Sequence, residues 1–80
     1  MGDYGRAEEE LKAAIRIKPD YATPHFNLAA LYIDKKMYGE ALEEFQRVLD
    51  IRPDFPNARD NYDRLSRYLK FQALMKQRKL

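Results

Sequence analysis

The sequence predicts an all-α chain built from repeated helix–turn–helix units. Three observations lead there. The stretch YGRAEEELKAAIRIKPDY at residues 4–21 returns as YGEALEEFQRVLDIRPDF at residues 38–55, a step of 34. The apolar residues of each copy recur at the period of one helix face: Ala41, Leu42, Phe45, Val48 and Leu49 in the later copy, Ala7, Leu11, Ala14 and Ile15 in the earlier. Each copy halts at a proline, Pro19 or Pro53, which cannot continue a helix.

The elements follow in order. A first helix is expected over about 3–17, with Glu8, Glu9 and Glu10 early in it, where the helix dipole favours acid. Asp20 and Asp54 follow the two prolines and are expected to cap the helices that come next. The second helix, about 21–35, is apolar over a broad arc (Phe26, Leu28, Ala29, Leu31, Tyr32), and Pro24 sits early enough for its first turn to tolerate it. Only Asp34 to Met37 connect it to the third helix, about 38–51, so the two are expected to lie antiparallel. A long last helix, about 55–77, carries Ala58, Tyr62, Leu65 and Leu69 on one face and Tyr68, Phe71 and Met75 on an adjacent stripe.

Eighty residues make one small domain with a modest core. There is no cysteine, so no disulfide or thiolate–zinc site is expected; a reducing compartment, the cytoplasm, fits best. No apolar run approaches a membrane span, and MGDYGRAEEE lacks the basic-then-apolar pattern of a leader. The net charge of +2 is unevenly spread. Residues 1–55 hold eight Lys/Arg against eleven Asp/Glu; residues 56–80 hold seven against two.

A step of 34 with paired helices resembles the tetratricopeptide repeat. Leu28, Ala29 and Tyr32 match that family's first-helix positions; Ala41, Phe45 and Pro53 match its second helix and turn. By this resemblance residues 22–55 form one full repeat, residues 2–21 the second helix of a preceding one and residues 56–80 a terminal first helix, stacked as a short right-handed α-solenoid of four helices. Ala29 and Ala41 are expected at the closest helix crossing. The chain departs from the pattern at Lys36, which stands where glycine is usual, as Gly2 does before the first copy. Asp63 and Ser66 stand where Ala29 and Tyr32 would recur, and no third copy of the YG motif follows.

Catalysis is not expected. His25 and Ser66 are the only residues of their kinds, and His25 falls at a family packing position. No ligand spacing suits zinc or calcium, and no cofactor is expected. The resemblance implies a protein-interaction scaffold that takes a peptide or partner helix in a concave groove. The family's groove positions fall at Thr23, Phe26, Asn27, Ala30, Ile33 and Asp34 on one helix, and at Asn57, Asp60, Asn61, Arg64, Arg67 and Tyr68 on the next. Phe26 and Ala30 occupy two places of the Lys/Asn/Arg clamp that some relatives use for a terminal carboxylate, so such a ligand is disfavoured. The alternative is self-assembly, as a homodimer or array, through Leu11 and Ile15 at one end and Tyr68, Phe71 and Met75 at the other. A third possibility uses the basic last helix on nucleic acid or an anionic membrane; low net charge and aromatics at core spacing weigh against both.

Overall fold

The computed structural model describes residues 3–77. Among them lie four helices and no strand: α1 (Tyr4–Ile17), α2 (Ala22–Asp34), α3 (Tyr38–Ile51) and α4 (Ala58–Gln77). Gly2, Arg78 and Lys79 fall outside the described residues.

Each helix starts and stops for an identifiable reason. Asp3 caps α1, its Oδ1 accepting from the Arg6 amide at 3.1 Å. Asp20 does not cap α2. The residue before α2 is Tyr21, in extended backbone with no side-chain cap. Asp54 pairs instead with the Arg52 guanidinium at 3.4 Å. The two proline turns are built alike. In one the Tyr21 amide donates to the Lys18 carbonyl, in the other the Phe55 amide to the Arg52 carbonyl. In both a cation stands over the aromatic ring, Lys18 at 5.5 Å from the Tyr21 centroid and Arg52 at 5.3 Å from that of Phe55.

The α2–α3 connection closes as a Schellman motif. The Lys36 amide donates to the Ile33 carbonyl (2.9 Å), and the Met37 amide to that of Tyr32 (2.8 Å). Lys36 has φ 62, the left-handed conformation that glycine would adopt without strain. α4 begins three residues later than the sequence suggests. Asn57 has φ 68 and makes a further turn, with the Ala58 amide on the Phe55 carbonyl at 3.1 Å. Asparagine is among the few non-glycine residues that take this conformation readily.

α2 and α3 share the most extensive helix interface, and α1 and α4 flank them. Ala29 and Ala41 are fully buried where α2 and α3 meet. Leu28, Tyr32, Phe45 and Leu65 complete the main core. A second cluster of Ala22, Val48, Leu49 and Ala58 closes the other end, and Phe26 and Tyr62 touch both. On α4, Ala58 and Leu65 are buried and Tyr62 and Leu69 pack beside them, so the face predicted from spacing is the face that docks.

Candidate functional site

The first site lies between α2 and α4. Ile33 from α2 and Asn61, Arg64, Leu65 and Tyr68 from α4 line a cleft of about 250 Å³. The side chains are held in place. Arg64 Nη2 donates to Asp60 Oδ2 and to Asn61 Oδ1, each at 3.1 Å. The Tyr68 ring meets Tyr38 edge to face at 5.5 Å, and Gln72 Nε2 donates to the Tyr68 hydroxyl at 2.9 Å. The cleft therefore offers an apolar floor, an amide, a guanidinium and a phenol.

The other residues predicted for the groove are distributed differently. Asn27, Ala30 and Asp34 stand exposed along α2, and Arg67 stands exposed on α4. Thr23 is half-buried. Phe26 turns inward, edge to face on Phe45 at 5.5 Å and stacked on Phe55 at 5.1 Å, so its ring serves the core. Asn57 lies in the turn before α4 and not on the helix where the 34-residue step places it. Leu65, which forms part of the cleft, follows the core period and gave no groove signal in the sequence.

The two ends carry the exposed apolar surface. Every large hydrophobic residue that stands exposed among the described residues lies on or beside α1 or in the second half of α4. Ile17 is 84% exposed, Phe71 60% and Met75 51%, with Tyr4, Tyr21, Tyr68 and Leu74 beside them. Phe71 and Met75, with Gln72 and Lys76, line a shallow cleft of about 340 Å³. Leu11 and Ile15 differ from expectation. They are half-buried and pack on the main core, because α2 already covers that side of α1.

Two acidic residues, Glu8 of α1 and Glu44 of α3, act across helices. Glu8 lies in the second turn of α1, accepts from Lys12 Nζ and Lys35 Nζ, each at 2.8 Å, and receives the Tyr32 hydroxyl at 3.4 Å. The two ammonium groups hold its carboxyl down at about 2, against 4.5 for a free side chain. Glu44 accepts from His25 Nδ1 at 2.8 Å, and His25 Nε2 lies 3.1 Å from the Pro19 carbonyl. His25 thus ties the first turn to α3, a packing role. Neither His25 nor Ser66 is part of a nucleophile–base pair among the described residues.

A family model for the tetratricopeptide repeat matches residues 1–75. The chain belongs to the tetratricopeptide repeat family. No curated protein and no solved structure matches it. Tetratricopeptide repeats are in general protein–protein interaction scaffolds and typically non-catalytic. No helix among the described residues is long and apolar enough to cross a membrane.

Proposed function

We propose that this tetratricopeptide chain binds a peptide or partner helix along the groove between α2 and α4. The cleft lined by Ile33, Asn61, Arg64 and Tyr68 carries this reading. An apolar side chain fits beside Ile33 and Leu65, and Arg64 at the rim favours a flanking acidic residue. A peptide array probed with wild type and with Arg64→Ala tests it. The wild-type chain is expected to retain peptides with an apolar residue beside an acidic one, and the variant to lose the acidic preference. Identical peptide sets from both proteins would refute the groove assignment.

A second reading, self-association, is favoured by the concentration of exposed hydrophobics at the two ends. Among the described residues no helix covers the outer faces of α1 and α4, and two copies of the chain could cover each other there. Light scattering over a concentration series is expected to show a mass increase that Phe71→Glu abolishes. A folded wild-type monomer at about 100 μM would exclude it, since burial of such a patch should act well below that concentration.

A further inference from the structure

A different cleft opens between α1 and α3, floored by α2, on the opposite side of α2 from Asn27 and Ala30. Its volume is about 340 Å³. The floor is buried and largely apolar, with Leu28 2% and Tyr32 7% exposed beside the buried His25, and Ile15 stands next to them. The walls are charged. Lys12 and Arg16 come from successive turns of α1, and Glu44 and Arg47 from α3.

The charges in the walls are not equivalent. Lys12 is engaged by Glu8, and Glu44 by the buried His25. Arg16 and Arg47 form no ion pair or side-chain hydrogen bond among the described residues. Two exposed guanidiniums without an ion pair among the described residues therefore line one cleft from different helices. A guanidinium fork matches a carboxylate in two-point geometry, which an ammonium does not.

We propose that this second cleft binds a peptide segment in which an acidic side chain stands next to an aliphatic one. The carboxylate would lie between Arg16 and Arg47, and the aliphatic neighbour on Leu28 and Ile15. The volume is at the lower end for ligand sites and holds one or two side chains, too little for a nucleotide. The Glu44 carboxylate in the wall disfavours a dianion, so a carboxylate suits the cleft better than a phosphate. This site is independent of the α2–α4 groove and shares no lining residue with it.

The test uses the whole chain and fluorescent peptides, acetylated and amidated, with a Leu-Glu-Leu or Leu-Asp-Leu centre, read by anisotropy at low salt. Counterparts with Gln or Asn in place of the acid are expected to bind at least about tenfold more weakly, the usual cost of losing a charge-assisted contact. Arg16→Ala and Arg47→Ala are each expected to weaken the acidic peptides by about tenfold and to leave the circular dichroism unchanged, since both residues are exposed. Because the α2–α4 groove is also proposed to take an apolar residue beside an acidic one, the arginine variants are compared in the Arg64→Ala background, where the acidic peptides are expected still to bind. The proposal is overturned if neither acidic peptide binds, if the amide peptides bind equally, or if only Arg64→Ala weakens them. Inorganic phosphate that displaces the peptides at the peptides' own concentration would also overturn it, as it would show a simple anion site.

Discussion

α1 and α3 are two copies of one phrase, yet they do different work. Ala41, Phe45, Val48 and Leu49 of α3 are 0%, 1%, 0% and 8% exposed. Their counterparts one repeat earlier, Ala7, Leu11, Ala14 and Ile15, are all half-buried. Ile51 packs into the second cluster, whereas Ile17 stands 84% exposed. The residue types are close, so composition is not the cause. α3 lies between α2 and α4, and α1 lies chiefly against α2. In a repeat protein the energetic weight of a residue belongs to its place in the stack as much as to its identity.

The comparison can be broken most forcefully by truncation. Phe45→Ala is expected to cost about 3–5 kcal/mol, enough to unfold much of so small a domain. Leu11→Ala, at the same register position but half-covered, is expected to cost about half as much or less, because less surface and a more open void are involved. Urea midpoints at equal m-value measure both; equal losses would mean that α1 is as well packed as α3. Overpacking comes next. Ala41→Leu is expected to cost about 1–3 kcal/mol, while Ala7→Leu should fall within about 0.5 kcal/mol, since the half-buried site can shift its new methyl groups toward solvent. A tolerated Ala41→Leu would show that α2 and α3 do not cross closely there.

The smallest effect sharpens the comparison by chemistry. Glu8 in α1 occupies the position of Leu42 in α3, so the α1–α2 contact contains a carboxylate where the next one contains hydrocarbon. The folded-state pKa of Glu8 is lowered, so its contribution is present above the unfolded value of 4.5 and is lost as pH falls toward about 2. Its lysine partners reach toward solvent, which limits that contribution to about 1 kcal/mol or less. Glu8→Gln should therefore lower stability by that amount at neutral pH, and the gap to wild type should close between pH 4.5 and about 2. Denaturant titrations at several pH values decide it; a gap independent of pH would mean that Glu8 acts through packing.

Much of the fold was legible because periodicity and proline act locally. α1 and α3 end at the prolines, and the docking face of α4 follows from its spacing alone. The positive φ at Lys36 was foreshadowed by the glycine that its family places there. α4 starts later than the 34-residue step predicts because the Pro56-Asn57 pair makes a turn of its own. Asp20 and Asp54 do not cap for a related reason: the turns close through backbone hydrogen bonds and leave those side chains to face water or Arg52. The proposed groove was only partly legible. Whether Phe26 faces a ligand or the core depends on Phe55, a partner 29 positions away in the chain. The cross-helix links of Glu8 and His25, and the facing arginines of the second cleft, likewise exist only once the helices are stacked.

α4 continues as helix through Lys70, the residue one repeat after Lys36, where α2 has already turned back. Residues from Lys70 to Gln77 are exposed all round. A single helix without neighbours is held by little more than its own hydrogen bonds, and short isolated helices are marginal in water. Amide protons there should exchange with solvent far faster than those around Leu65, within one continuous helix. Any partner that settles on Phe71 and Met75 would then slow exchange over that half alone. The unsupported half of α4 is in this sense a built-in gauge of occupancy, readable by hydrogen–deuterium exchange without a label and before the partner is known.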